Sequence, residues 1–430
     1  MKETFSWNPY ADQPHNVGSR GRRFLRHLAH APSYLGISWS NLKKVVPVIM
    51  QYRFHRAMTG RFPARIENPF AVAVSPVPGR EPEILALLQE LDISRSLLRI
   101  PSWESDRLEM YERFFSGLKK RGIEVLISLL QCREDVLDPA RWIRFVREVF
   151  SRFHGEDTFF EVGHAWNRTK WGVWDHREYV RLARQAAAAA EEYGALIVGP
   201  AVIDFEFHLY PPVLERISFD VVSSLLYVDR SGPPEGKQFG WDMLRKLALL
   251  RAVVDKCSRK GQELWITEFN WPLKDTGKYS PAAGRPNVSE EEQADYLVRY
   301  HLLALSCGWV DRIYWWQLVA PGYGLVDSRS VGWRRRPAFR ALQTLKRFCG
   351  NSVYQGRYLV HPTAHILSFC RGREVFAAGW TEGEPIRYRF PLPVKRVVGR
   401  DGEDLTIKGA DVTLDGHPKY VFLEGAEAQP

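Results

Sequence analysis

The sequence predicts an α/β chain: a closed barrel of eight parallel strands, each followed by a helix, with a small β domain behind it and a basic extension in front. Three observations carry that prediction. From residue 67 to about residue 350, short apolar runs alternate with helical stretches, the rhythm of strand-helix units in a parallel sheet. The rhythm repeats eight times, which argues for a barrel over an open sheet. After Gly350 the texture changes to short strands separated by turn signals. A chain of 430 residues accommodates one barrel of about 250 residues and a smaller domain. The expected division is residues 1–66, a basic amphipathic extension; 67–350, a (β/α)8 (TIM) barrel; and 351–430, a β-sandwich.

The elements follow from hydrophobic pattern and punctuation. Phe70 to Val74 reads as the first strand, Pro82 to Leu91 as a helix, Ser96 to Trp103 as the second strand and Arg107 to Arg121 as its helix. Ile123 to Gln131 is the third strand, followed by a helix over Pro139 to Phe153, and Thr158 to Ala165 is the fourth, followed by Arg177 to Tyr193. Leu196 to Ile203 and Phe219 to Tyr227 are the fifth and sixth, with a short helix near Pro212 to Arg216 between them and a helix over Trp241 to Arg259 after the sixth. Leu264 to Glu268, the helix Glu290 to Ser306, the eighth strand Arg312 to Leu318 and the helix Pro337 to Phe348 complete the barrel. Beyond it, strands are expected at Arg357 to Val360, His365 to Phe369, Val375 to Trp380, Arg387 to Phe390, Leu405 to Ile407 and Tyr420 to Leu423. Asp401-Gly402 and Asp415-Gly416 mark turns among them.

The net charge is +10, and residues 1–66 hold +9 of it, with eleven Lys and Arg against Glu3 and Asp12. Basic and bulky apolar residues interleave there, as in Tyr34 to Trp39 and Leu42 to Phe54. That pattern suits a segment lying on an anionic membrane surface; the alternatives are a solvated basic arm or a strap packed on the outside of the barrel. Pro47 is expected to break any single long helix in this segment. No nucleic-acid module accompanies the charge, so no nucleic-acid partner is expected. Cys132, Cys257, Cys307, Cys349 and Cys370 are scattered without zinc spacing and read as buried thiols of a reducing compartment. No metal or phosphate motif occurs, and no cofactor is expected. The N-terminus has no signal-peptide pattern, and no run reaches about 18 apolar residues. The expectation is a cytoplasmic protein, peripheral to the inner membrane face.

An active site in such a barrel is built where the strands end. The most informative segment is Leu264-Trp265-Ile266-Thr267-Glu268-Phe269-Asn270-Trp271-Pro272, an apolar strand that delivers a carboxylate among aromatic rings. Glu268 is the first candidate for catalysis; the competing reading is a helix cap or an Arg partner. The other strand exits carry Arg99 and Trp103, then Gln131, then Glu161, His164, Asn167 and Arg168, then Asp204, Glu206 and His208, then Tyr227 and Asp229, then Asn270 and Trp271, and finally Trp315, Trp316 and Gln317. Aromatic faces match the apolar faces of pyranose rings, and Asn, Gln, Arg and His supply directional bonds to hydroxyls.

With these residues in place, the chain resembles the clan A glycoside hydrolases, nearest to families 5 and 39. The resemblance rests on the strand order, Thr267-Glu268, the Trp315-Trp316 pair, and Tyr323 to Asp327 followed by Arg336-Pro337-Ala338-Phe339, and it covers about residues 67 to 350. It implies Glu268 as nucleophile, Arg99 beside it, Tyr227 orienting it, and one of Trp315 and Trp316 as the platform under the reacting sugar.

One departure outweighs the matches. The clan ends strand four with Asn-Glu, the Glu being the acid/base, and His164 and Ala165 fall on those two positions here. Alanine cannot protonate a leaving oxygen. Retaining enzymes keep their carboxyls roughly 5 Å apart. Glu161, four residues before Ala165 at about 3.3 Å per residue, lies about 13 Å deeper, where a structural ion pair is its expected role. Three readings follow: a proton from His164, Glu206, His208 or Asp229; a leaving group that needs little help, such as a glycosyl phosphate, with Arg99 or Arg168 holding its charge; or a barrel that binds a glycan without cleaving it. The first two make the protein a glycoside hydrolase or transglycosidase on a glycan or glycoconjugate, in cell-surface polysaccharide or lipopolysaccharide metabolism. The third makes it a noncatalytic carbohydrate-binding or scaffold protein.

Overall fold

The computed structural model describes residues 5–15, 29–228, 232–281, 287–360, 363–406 and 411–424. Eight parallel strands close into a barrel: β1 (Phe70–Val74), β2 (Arg95–Pro101), β3 (Glu124–Leu130), β4 (Thr158–Val162), β5 (Leu196–Ile203), β6 (Val221–Leu225), β7 (Leu264–Phe269) and β8 (Arg312–Trp315). The ring closes through β8 against β1, with Ile313 opposite Phe70. Most strands are apolar on both faces because both are covered, by the packed barrel interior and by the helices outside. Trp265, Tyr314, Leu97 and Leu126 belong to the interior cluster, whereas Ile266, Phe269 and Trp315 face the helices.

Several elements end earlier than the sequence suggests. β4 stops at Val162 because Gly163 turns the chain with φ +78°. A Cβ at Gly163 would stand 2.9 Å from the Tyr179 ring, so only glycine fits. β8 stops at Trp315, which places Trp316 and Gln317 on the loop that follows it.

The N-terminal segment corrects one expectation. A single helix, α1 (Ala31–Met58), runs straight through Pro47. It packs outside the barrel against the short helix α2 (Tyr210–Leu214) and the longer α3 (Met243–Cys257). Polar ties hold it on both sides of the proline, which offsets the one backbone bond Pro47 removes. Before it, the Ser40 hydroxyl donates to Glu215 at 2.9 Å; after it, Gln51 donates to Asp255 at 3.1 Å and His55 lies 2.6 Å from the same carboxylate. The helix is therefore a strap on the barrel, but its outer face is bare, with Leu35, Trp39, Leu42, Val46 and Met50 each more than 60% exposed. None of the described helices is long and apolar enough to cross a membrane.

Beyond residue 350 lies a seven-stranded antiparallel sheet in the order Asp404–Leu405, Val394–Val398, Lys419–Leu423, Glu374–Thr381, Ala364–Arg371, Val353–Val360, Ala64–Arg65. Its last strand comes from the N-terminal segment, with Ala64 opposite Tyr354. A two-stranded ribbon, Ile386–Arg389 with Asp411–Leu414, covers one face over Ile366, Phe390, Val397 and Leu414. The other face meets the helix α4 (Pro337–Cys349), where the Phe348 ring lies 5.0 Å from those of Tyr420 and Phe422. The strand Val394–Val398 adds to those the sequence predicts; Ile407 lies outside the described residues. All five cysteines are buried and free.

Candidate active site

Strict alternation along β7 would send Trp265 and Thr267 into the barrel and Glu268 outward. The pairing of β7 with β8 is irregular between Ile266 and Phe269, and such a defect re-aims side chains. Thr267 and Glu268 both face inward, while Phe269 stacks on Tyr300 outside at 3.9 Å. Glu268 is held at both oxygens: the Tyr227 hydroxyl donates to Oε1 at 2.6 Å, and Arg99 donates to Oε2. The Arg99 guanidinium lies 3.3 Å above the centre of the Trp316 ring. Glu268, Arg99, Tyr227 and Trp316 thus form one cluster at the mouth of the barrel.

His164 joins that cluster but cannot act there as an acid. Its Nε2 accepts from Arg99 at 3.1 Å, so the ring proton sits on Nδ1, turned away from Glu268, whose Oε2 is 3.5 Å from Nε2. Burial, then the Arg99 charge, pulls its pKa well below the ordinary 6.5. Gln131 fixes this turn, accepting from the His164 N–H at 2.8 Å and donating to the carbonyls of His164 and Trp171. Ala165 is fully buried among Leu130, Trp171 and Tyr227, so the end of β4 offers no carboxylate.

Other expected residues lie elsewhere. Glu206 is bound to Arg168 at 2.6 Å and to Asn167 at 2.9 Å, and Arg168 also binds Asp204 at 2.6 Å. This ionic knot ties the loop after β4 to the loop after β5. His208 is exposed, and its carbonyl accepts from Asn41 of α1. Trp271 and Trp315 are core residues between barrel and helices, packed on Phe269, which removes them from any sugar platform. Asn270 donates to the Trp316 carbonyl at 2.9 Å and so positions that loop. Gln317 reaches Tyr323 at 3.3 Å and accepts from Ser75 at 3.3 Å. Asp229 lies outside the described residues.

Among the described residues Glu161 forms no ion pair, contrary to expectation. It sits inside the barrel, accepting from the hydroxyls of Thr267 at 2.6 Å and Ser128 at 3.0 Å. With neutral partners only, burial pushes its pKa up to about 7.

Sequence reasoning missed Asp12. Residues 5–15 form a hairpin, Trp7–Asn8 pairing with Gln13–Pro14, that lies across the mouth. Asp12 stands 3.6 Å from Arg99 Nη1 and accepts weakly from Gln317 at 3.4 Å. Burial, opposed by Arg99 and reinforced by Glu268, raises its pKa. Trp7 packs on Trp103 and Trp171 at 5.1 and 6.0 Å, Phe5 on Trp103 at 4.5 Å, and Tyr10 on Tyr279 at 5.8 Å. The only sequence signal was the aromatic density of an otherwise basic arm. Among the described residues, no three His, Cys, Asp or Glu side chains are grouped to hold a metal ion.

No model of a known protein family matches the sequence, and no curated protein matches it. The fold does match solved structures. A GH30 endoxylanase from Clostridium papyrosolvens aligns with a TM-score of 0.55 at 13% identity, over 85% of this chain and 97% of that one. A GH51 arabinofuranosidase from Xanthomonas axonopodis pv. citri aligns at 0.55 and 12% identity, over 86% and 98%. AbfB, a family 51 alpha-L-arabinofuranosidase from Bifidobacterium longum, gives 0.54 and 14%, over 84% and 96%. At such identity the likeness is one of fold: barrel and β domain together resemble those of glycoside hydrolases.

Proposed function

We propose that this protein is a retaining glycoside hydrolase or transglycosidase of the clan A type, acting on a glycan or glycoconjugate with Glu268 as nucleophile. The observation that carries the proposal is the carboxylate of Glu268, bound at one oxygen by Tyr227 at 2.6 Å and at the other by Arg99. A structural ion pair alone would not need the tyrosine. Tyr227 and Arg99 fix the direction of the Glu268 carboxylate, and Arg99 is itself seated on the Trp316 ring. In the reaction a Glu268 oxygen bonds to the anomeric carbon as the bond to the leaving oxygen breaks. Water then attacks the same carbon, frees Glu268 and gives its proton to solvent; a second sugar hydroxyl in place of water gives transfer.

The proton donor is atypical. Ala165 carries no acid, His164 points its lone pair at Arg99, and Glu206 is bound to Arg168. This lack among the described residues supports a substrate whose leaving group departs as a stable anion, such as a glycosyl phosphate. The bare apolar face of α1, a helix whose sequence holds Lys43, Lys44, Arg53 and Arg56 and no acid, supports work at an anionic membrane surface. The free cysteines fit a reducing compartment, hence the inner face of a cell membrane and the metabolism of cell-surface polysaccharide or lipopolysaccharide.

Incubation with activated 2-fluoro-sugars of several configurations tests the nucleophile. A mass increase on the peptide holding Glu268, absent in Glu268→Gln, is expected. No adduct across the panel, with glycan binding retained, sinks catalysis and leaves a noncatalytic carbohydrate-binding or scaffold protein, the reading Ala165 favours.

A further inference from the structure

We infer that the barrel mouth is an oligosaccharide cleft whose aromatic faces are filled by the chain's own hairpin, residues 5–15, so that glycan and hairpin compete for one site. The inference rests on the glycosidase reading for its class of ligand. Three ring surfaces on separate loops face the hairpin: Trp103 after β2, Trp171 after β4 and Tyr279 after β7. Phe5 and Trp7 lean on Trp103 with tilted planes, and Trp7 and Tyr10 meet Trp171 and Tyr279 edge-on, so the hairpin rings take up the space beside these surfaces that a sugar ring would need. Rings on three loops make more than one subsite, which a monosaccharide would not fill.

The polar contacts tell the same story. Asp12 offers an acceptor oxygen to Arg99 and Gln317, donors that would otherwise meet sugar hydroxyls. With the hairpin in place, Glu268, Arg99, Trp316 and Gln317 are all buried. Among the described residues the buried indole N–H of Trp103 meets no acceptor, and a sugar hydroxyl would supply one.

The hairpin is weakly tied. Its two-residue strands pair with each other and with no barrel strand, and an isolated hairpin is marginal in water. At the rim, Gln13 donates to the Pro281 carbonyl at 2.9 Å and accepts from Lys170 at 2.5 Å. Lysine 278 lies 3.8 Å from the centre of the Tyr10 ring. Such side-chain contacts can be exchanged for a ligand without unfolding the barrel.

Asp12 does not stand as a second catalytic carboxyl. The Arg99 guanidinium lies between it and Glu268 and covers the Trp316 face, which leaves no place for an anomeric carbon between the two acids.

The test compares the parent with Trp7→Ala/Tyr10→Ala/Asp12→Asn in the full chain. Readouts are the affinity for xylo-, arabino-, manno- and cello-hexaose and the rate of Glu268 labelling by activated 2-fluoro-sugars. The looser hairpin raises affinity for at least one hexaose, or the labelling rate, by about tenfold, since affinity scales with the fraction of open molecules. A synthetic peptide of residues 5–15 then restores the parent behaviour by competition. Equal labelling and equal affinity in a folded triple variant, or a peptide that does not compete, overturn the inference. If Glu268 labels at the same rate in both proteins and no hexaose binds the triple variant more tightly, the glycosidase reading stands while this one falls. If neither labels but the triple variant binds a hexaose more tightly, catalysis falls and the cleft stands. Asp12→Asn alone that binds sugar as the parent does, yet loses turnover, makes Asp12 the proton donor and overturns occlusion.

Discussion

Asp12 and Glu268 stand at the two amino groups of one guanidinium: Arg99 Nη1 lies 3.6 Å from Asp12, and Nη2 donates to Glu268. One residue comes from the N-terminal hairpin and the other from the seventh strand of the barrel. A cation shared in this way couples the state of the hairpin to the electrostatics of the candidate nucleophile, because removing Asp12 leaves Arg99 wholly to Glu268.

Tyr227→Phe removes the 2.6 Å bond to Glu268. A hydrogen bond to a charged group is worth about 1.5–3 kcal/mol, so kcat/KM on an activated glycoside should fall by about 10- to 100-fold. Steady-state kinetics beside a urea melt separate this loss from unfolding, which should change by less than about 1 kcal/mol.

Glu161 makes folding depend on pH. Its pKa in the fold is pushed up to about 7 from an ordinary 4.5, so the folded chain retains a proton that the unfolded chain has released between those values. Stability from this group is therefore full below about 4.5, declines as pH rises to about 7, and then levels off. Glu161→Gln should flatten that decline by on the order of 2–3 kcal/mol. Urea midpoints at pH 5 and pH 8 for both proteins decide it: equal slopes refute the assignment.

Glu235 joins barrel and β domain. It takes two bonds from Arg299, at 2.9 and 2.6 Å, and one from the Trp380 indole at 2.7 Å, all buried. Glu235→Ala strands the Arg299 charge and should cost about 3–5 kcal/mol. Replacing both by apolar residues, Glu235→Leu with Arg299→Met, should recover much of that loss in chemical denaturation.

The bare face of α1 should bind vesicles containing anionic lipid and release them as salt rises. Trp39→Glu with Met50→Glu removes two apolar side chains, each worth about 1.5–3 kcal/mol when buried, and should lower the bound fraction at least about tenfold in co-sedimentation. Binding of the parent that ignores both salt and these changes would exclude the membrane surface as the partner of this face.

The barrel was legible in the sequence because a buried parallel strand must be apolar on both sides and a covering helix must show its own period. Leu196–Ile203 and Pro139–Phe153 emerge with the bounds their patterns predict. The gathering of Arg99, Tyr227 and Glu268 was legible for a related reason, since strand ends of a closed barrel converge on one mouth. What each side chain does there was decided only by tertiary contacts. Trp315 and Trp316 are neighbours in sequence, yet one packs under helices and the other lies beneath Arg99. Pro47 stays inside a helix because Glu215 and Asp255 hold that helix on either side of it. Glu161 found hydroxyls where a cation was expected. Asp12 meets Arg99, and through it Glu268, from a hairpin that precedes the barrel in the chain. Local pattern dictates periodicity and burial, whereas pairing across more than two hundred residues depends on which loops the closed barrel brings together, and no local preference encodes that.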